Sequence, residues 1–255
     1  ARIHAVWGLG QLLRKNPAGN TVLINLLQDQ DPEIRAQAAK VLGDAKMKAG
    51  VESLTALLAD SNPRVQLYAT QALGRMAAAE AIPSLIAMLQ TNNDQDVYLR
   101  QAGATALARM GDEKAVAALS SHSSEAVRIA AVVALKKLSS PQLEKFLADR
   151  SEFVATNAAR AINDDELITG ALPALAALLD QPTFTSDALL RRAINAAVYA
   201  KNTKQNAMRL AHFAQQQNVS GSVRAEAIHA LSVWGNGSVY DRVSGMYRGP
   251  ISHPK

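Results

Sequence analysis

Apolar residues recur along this chain in a pattern with a long, slightly irregular period. Each occurrence has an apolar anchor, usually followed by Arg, with a small or apolar residue four positions after the anchor and Leu, Ile or Val eight positions after it. Successive anchors are 31, 34, 28, 27, 36 and 33 residues apart. Spacings of this size predict a fold of stacked repeats, each of which buries its apolar face against its neighbours. The anchors and the residues after them are Ile34-Arg35, Val65-Gln66, Leu99-Arg100, Val127-Arg128, Val154-Ala155, Leu190-Arg191 and Val223-Arg224.

Two helices are predicted within each period. The apolar residues of positions 20–27 have the i, i+3, i+4 spacing of one helical face, which predicts a first helix, here named helix A. The pairs Asp31-Pro32 and Asn62-Pro63 predict the start of a second helix, helix B, because Asp or Asn caps a helix and Pro suits its first turn. Gly tolerates the left-handed backbone conformation, so we expect helix B to end at Gly43, Gly74 and Gly111.

The repeats together predict an all-α, right-handed α-solenoid of about eight helical hairpins. Residues 2–10 already have the pattern of helix B, so the first hairpin is incomplete and we expect a longer parent protein. The solenoid is assigned to residues 1–234. Residues 235–255 are predicted to be an irregular tail, either a linker or a strap that folds back on the last repeat. Residues 180–187 are expected to form a flexible loop.

The composition agrees with a helical fold and excludes several kinds of chemical site. The chain is 48% apolar but only 4% aromatic, and no apolar run approaches the length of a membrane span. Cysteine is absent, which excludes disulfides, thiolate chemistry and covalent haem attachment within these residues. The net charge of +5 is mild and the Lys and Arg residues do not cluster, which argues against a dedicated nucleic-acid-binding protein.

The repeated Arg lies in the first turn of helix B, where a cation opposes the helix dipole and needs acidic partners. One interpretation is a structural ladder in which each Arg pairs with an acid of the neighbouring repeat. The other is an anion-binding ladder. We favour the structural ladder, whose members are Arg35, Arg100, Arg128, Arg191 and Arg224.

A second stripe on helix B lies three, six and ten positions after each anchor, away from the core. If helix B lines a concave surface, this stripe forms a basic binding groove. The alternative is a charged face exposed to solvent, and we favour that alternative. The groove candidates are Lys40, Tyr68, Arg75, Arg109, Lys137 and Arg160.

Few other residues suggest chemistry. Trp7 and Trp234 stand near the two ends of the array and either anchor adjoining domains or pack in terminal helices. The five His residues lack the spacing of a metal site, and no phosphate-binding or nucleophile motif is present. The sequence therefore predicts no catalytic residue, no metal and no cofactor.

The repeated pattern D-x-x-(V/I)-R-x-x-A-x-x-(A/V)-L resembles HEAT repeats, especially the phycobilisome-lyase type, over residues 1–234. Three places further resemble the HEAT region of planctomycete-type dehydrogenase-like proteins with a c-type cytochrome module. They are residues 2–9, residues 158–164 with 171–175, and residues 190–196 with 223–243. That second resemblance implies an extracytoplasmic, periplasmic parent protein in bacteria. In such proteins the helical region is joined to a β-propeller of the sugar-dehydrogenase type and to a haem-binding CxxCH segment, and neither is found in this chain.

From these features we expect a non-catalytic protein-interaction scaffold or spacer within a larger redox protein. Its partners would be adjoining domains or another polypeptide, and the sequence leaves its oligomeric state open. The alternative is a stand-alone HEAT-like enzyme that uses the concave groove, either bilin-lyase-like or DNA-glycosylase-like.

Overall fold

The computed structural model describes residues 1–15, 20–201 and 203–253. Its contacts divide the chain into two compact units, unit 1 of residues 1–138 and unit 2 of residues 139–255. The described residues of unit 1 form nine α-helices: α1 (Arg2–Lys15), α2 (Asn20–Asn25), α3 (Pro32–Asp44), α4 (Val51–Ala56), α5 (Pro63–Met76), α6 (Ile82–Asn92), α7 (Val97–Met110), α8 (Glu113–Ala118) and α9 (Glu125–Lys137).

Unit 2 begins with the 3-10 helix Pro141–Phe146, and the part of it that the structure describes continues with five α-helices. These are α10 (Glu152–Asn163), α11 (Leu172–Ala177), α12 (Asp187–Tyr199), α13 (Thr203–Phe213) and α14 (Gly221–Ser232). In the described residues the β-structure is limited to one isolated bridge between Tyr240 and Tyr247. The predicted all-α fold of the α-solenoid class is confirmed.

Helix B of each repeat forms the core of its unit. In unit 1 these helices are α1, α3, α5, α7 and α9, and each packs against the next; in unit 2 they are α10, α12 and α14. The anchors are the reason for this packing, because Ile34, Val65, Val127 and Val154 are at most 1% exposed. Burial of such a side chain contributes roughly 2 kcal/mol.

Helix starts follow the predicted capping chemistry. The side chain of Asp31 accepts a hydrogen bond from the backbone N–H of Glu33, and Asn62 accepts one from Arg64. In both cases Pro occupies the first turn of the helix. The predicted starts of α3 and α5 are therefore confirmed.

The prediction that glycine ends helix B is wrong for α3 and α5. Gly43 and Gly74 do not end their helices but lie inside α3 and α5. A Cβ atom at Gly43 would lie 2.6 Å from Cα of Ala72, and one at Gly74 would lie 2.9 Å from Cα of Ala106. These glycines are needed because the next helix B passes too close for a side chain. Gly111 does follow the end of α7, with φ of 74°.

Residues 235–253 form a strap on unit 2. The backbone N–H of Gly237 donates to the carbonyl of Ile251 at 3.1 Å, and that of Arg248 donates to the carbonyl of Val239 at 2.8 Å. Both of these hydrogen bonds lie within the tail, and Nε of Arg242 also donates to Oε1 of Glu226 on α14 at 2.5 Å. Because the tail folds back on the last repeat, it has the form of a strap rather than of a linker. Lys255, the last residue of the predicted tail, lies outside the described residues.

Candidate binding surface on the B helices

The predicted stripe places polar and charged side chains on one face of the B helices in unit 1. We call this the B-helix face, and it comprises Trp7, Gln11, Lys40, Asp44, Tyr68, Gln71, Arg75, Tyr98, Gln101, Thr105, Arg109 and Lys137. The residues of the predicted stripe, at positions three, six and ten after an anchor, share a face because they point away from the buried positions four and eight. Tyr98 and Gln101, one position before and two positions after the anchor Leu99, are not part of that stripe but line the same surface.

Two of the predicted cations are held by one acid. Nζ of Lys40 lies 2.8 Å from Oδ2 of Asp44, and Nη1 of Arg75 lies 3.0 Å from Oδ1 of the same carboxylate. Arg109 and Lys137 are exposed, and neither has a hydrogen-bond or ion-pair partner among the described residues. The B-helix face therefore carries a net positive charge at neutral pH.

A cavity of about 780 Å³ lies elsewhere in unit 1, between α4 and α6, and a smaller one lies within the B-helix face. The smaller cavity, of about 330 Å³, lies between α5 and α7 and is lined by Arg75, Arg109 and Tyr98 among others. We call it the α5–α7 cavity. It brings two predicted groove residues to one place.

Aromatic side chains border the cations. The guanidinium carbon of Arg64 lies 5.1 Å from the ring centre of Tyr68, a cation–π contact. Tyr98 is 72% exposed and lines the α5–α7 cavity. Sequence reasoning missed Tyr98 because it directly precedes its anchor, Leu99, and so falls outside the predicted stripe.

The sixth groove candidate belongs to the other unit. Arg160 is exposed on α10 in unit 2. The structure thus brings Lys40, Tyr68, Arg75, Arg109 and Lys137 into one unit and leaves Arg160 outside that group.

Trp7 and Trp234 differ in environment. Trp7 is 47% exposed, and its Nε1 donates a hydrogen bond of 2.8 Å to Oε1 of Gln37 on α3. Trp234 is half-buried in unit 2, with its ring 4.3 Å from that of His253 in the strap. Trp7 is therefore a surface residue, whereas Trp234 supports the packing of the strap.

Arg35 shows what the repeated arginine does. Its Nε and Nη2 donate to the carboxylate of Asp60, in the following repeat, at 2.7 and 2.9 Å, and its Nη1 donates to the backbone oxygen of Asp29 at 2.8 Å. Burial tends to raise the pKa of Asp60, but the hydrogen bonds from Arg35 and the backbone of Asn62 outweigh it and lower that pKa. Arg2 makes the equivalent pair with Asp29. These contacts are structural, since they join consecutive repeats.

The other arginines of the predicted ladder contact the loop before their own helix, or an acid at another position. Arg128 donates to the backbone oxygens of His122 and Ser123, six and five residues before it. Arg100 lies 3.6 Å from Asp94 in its own repeat, and Arg191 lies 4.0 Å from Glu226 on α14. Arg224 donates to Gln217 at 3.3 Å.

An aspartate five positions before the anchor was missed by sequence reasoning. This position holds Asp29, Asp60 and Asp149. In each, Oδ1 accepts a hydrogen bond from the backbone N–H two residues later, and this bond shapes the turn between helices A and B. Its recurrence at the same position of several repeats was the signal that could have revealed it.

The HEAT-repeat family model matches the chain in three overlapping stretches, residues 1–64, 51–136 and 93–163. The chain belongs to the HEAT-repeat family. No curated protein matches it at a significant level. A HEAT-repeat scaffold is suited to protein interaction, because its stacked helices expose an extended surface.

Several solved structures resemble this HEAT-repeat chain in fold. The complex of CpcE and CpcF of phycocyanin lyase from Nostoc sp. PCC7120 is 21% identical, with 84% of this chain and 93% of that chain covered and a TM-score of 0.41. The archaeal HEAT-like repeats protein from Thermococcus onnurineus NA1 is 12% identical, with 89% and 91% covered and a TM-score of 0.45. A designed armadillo repeat protein in complex with the peptide (KR)4 is 21% identical, with 82% and 97% covered and a TM-score of 0.37.

Unit 2 of the HEAT-repeat chain carries a buried polar cluster under the strap. Asp241 is 2% exposed, and its Oδ2 accepts hydrogen bonds from Nδ2 of Asn195 on α12 at 2.9 Å and from Nε of Arg248 at 3.2 Å. Arg248 also donates to the backbone oxygen of Asn163, at the end of α10, at 2.7 Å. Burial raises the pKa of the nearby Tyr199, with a further contribution from the charge of Asp241. The cluster ties the strap to two B helices.

Two further features bear on function. In the part of the chain that the structure describes, every helix falls short of the length and apolarity needed to cross a bilayer. Within the same described ranges, His, Asp and Glu side chains form no group of three suited to a metal ion.

Proposed function

We propose that this HEAT-repeat chain is a non-catalytic scaffold that binds a protein segment through the B-helix face of unit 1. The observation that carries the proposal is the open α5–α7 cavity, in which Tyr98 is 72% exposed beside Arg75 and Arg109. Tyr and Arg are enriched among the residues that dominate protein–protein binding energies.

The experiment is an unbiased peptide-display selection on the whole chain. Selected peptides are expected to bind the B-helix face, so Tyr98→Ala should weaken their binding on the order of tenfold, a typical effect for a central aromatic contact. Affinities are measured by fluorescence anisotropy with each labelled peptide.

Tyr240→Ala is the matched control, because Tyr240 is also an exposed tyrosine, at 57%, but lies in the strap of unit 2. It should leave the affinity unchanged. Selected peptides that lose affinity with Tyr240→Ala and keep it with Tyr98→Ala would contradict the proposed surface.

We further propose that the scaffold is a spacer within a larger extracytoplasmic redox protein of the dehydrogenase and cytochrome type, whose adjoining domains are its partners. The resemblance of residues 2–9, 158–164 with 171–175, and 190–196 with 223–243 supports this proposal. Sequencing the reading frame around the chain tests it. The expected result is a propeller-type region before residue 1 and a CxxCH segment after residue 255, and a frame that encodes neither would refute it.

A further inference from the structure

The α5–α7 cavity has a polar atom in its wall whose hydrogen-bonding capacity is unused. Thr70 is fully buried at its wall, and its Oγ1 has no hydrogen-bond partner in the described structure. Nη1 of Arg75, in contrast, lies 3.0 Å from Oδ1 of Asp44, which is its ionic partner. A buried polar atom without a partner costs roughly 1–3 kcal/mol, so the wall of the cavity is not fully satisfied in the chain alone.

The charged residues that line the cavity indicate the sign of the charge on a ligand that would bind there. The lining of the cavity contains Arg75 and Arg109 but neither Asp nor Glu. Arg75 shares Asp44 with Lys40, and Arg109 has no acidic partner among the described residues. Guanidinium binds carboxylates and phosphates by paired, charge-assisted hydrogen bonds, so the ligand is an anion of one of these kinds.

In unit 2, an amide of a B helix holds a carboxylate of the strap. The carboxylate of Asp241 accepts a hydrogen bond from Nδ2 of Asn195 on α12, whereas the cation that pairs with it, Arg248, belongs to the strap itself. The α5–α7 cavity likewise offers amide donors on B helices, those of Gln71 and Gln101, and adds two arginines.

We propose that the α5–α7 cavity binds an acidic, extended protein segment, whose carboxylates are held by Arg75 and Arg109 and whose side chains pack on Tyr98. This inference rests on the proposed function and adds the chemistry of the partner. A peptide is favoured over nucleic acid because the net charge of the chain is only +5. Phosphate-backbone binders usually carry clustered cations on a more basic domain.

The test measures binding of labelled peptides to the whole chain by fluorescence anisotropy. A Glu-rich peptide that contains one Tyr is compared with the same peptide in which every Glu is replaced by Gln. The Glu-rich peptide is expected to bind on the order of tenfold more tightly, and this difference should shrink at high salt because the groups are partly exposed.

Arg109→Glu should remove the preference for the Glu-rich peptide, because the lining then carries one cation and one anion. Lys114→Glu, the same charge change on helix α8, is the matched control and should change neither affinity. Unchanged affinity of Arg109→Glu for the Gln-containing peptide shows that the lost preference does not result from misfolding.

Three results would overturn the inference: equal binding of the Glu and Gln peptides, equal effects of Arg109→Glu and Lys114→Glu, or tighter binding of single-stranded DNA of equal charge. If neutral peptides from the display selection still depend on Tyr98, the proposed function stands and only the acidic partner is refuted.

Discussion

At the scale of single residues, glycine has two different roles in this chain. Gly111 follows a helix and has φ of 74°, which side chains rarely adopt. Gly74 is helical and lies against Ala106 on the next helix B. The two are alike in sequence because both occur near the end of a helix B. Only the distance to a neighbouring helix distinguishes a glycine that ends a helix from one that permits close packing.

Gly74→Ala is therefore expected to destabilise unit 1 by about 1–3 kcal/mol, because its Cβ would lie 2.9 Å from Cα of Ala106 and the helices would have to separate. Gly8→Ala is the control. Gly8 is an exposed residue of α1 with no atom within 4 Å of its added Cβ, so the change should stabilise the helix by up to about 1 kcal/mol. Urea denaturation measures the change in the free energy of unfolding for both variants. Changes of the same sign would contradict this account.

At the scale of elements, the turn between helices A and B is the unit that joins repeats. Asp60 shapes its own turn by accepting the backbone N–H of Asn62 and also receives the guanidinium of Arg35 from the preceding helix B. The side chains are well buried, at 15% exposure for Arg35 and 7% for Asp60. One aspartate therefore fixes a turn and the spacing of two repeats.

This pair predicts a pH dependence. The pKa of Asp60 is lowered on folding, so its contribution is fully present above its ordinary pKa of 3.8 and is lost as the pH falls through the folded value. Asp60→Asn should cost about 2 kcal/mol at neutral pH, and the difference from the wild type should vanish in acid. Denaturation at several pH values measures it.

Asp44→Asn serves as the comparison, because the Asp44 side chain is 33% exposed and its ion pairs are worth at most about 1 kcal/mol. A cost for Asp60→Asn that stays constant from neutral to acidic pH would show that the ion pair is not its source.

At the scale of the whole molecule, the chain contains two compact units with one tryptophan each, Trp7 in unit 1 and Trp234 in unit 2. Fluorescence of a Trp7→Phe variant therefore reports the unfolding of unit 2 alone. That unit depends on its strap, which buries Asp241 against Asn195 and Arg248.

Arg248→Ala, in that background, is expected to destabilise unit 2 by about 3 kcal/mol, because it leaves a buried carboxylate without its cation. Arg242→Ala is the matched change in the strap. Arg242 is 46% exposed and pairs with Glu226, so its loss should cost less than about 1 kcal/mol. If the two variants are equally stable, the strap is not held by the buried cluster.

The sequence by itself determined the repeats, the helical class and the helix starts. These depend on local physics: the anchors recur with a helical period, and Asp31 and Asn62 cap helices with atoms two residues away. It also predicted which polar side chains share a face, because that follows from helix geometry.

Only the tertiary structure decided the pairing of Arg35 with Asp60, the packing role of Gly74 and the cavity between α5 and α7. Each depends on the distance between residues about 25 or more positions apart in the chain, as the 25 positions between Arg35 and Asp60 show. Periodicity gives the direction in which a side chain points, but the neighbour that it meets is set by how closely successive helices pack.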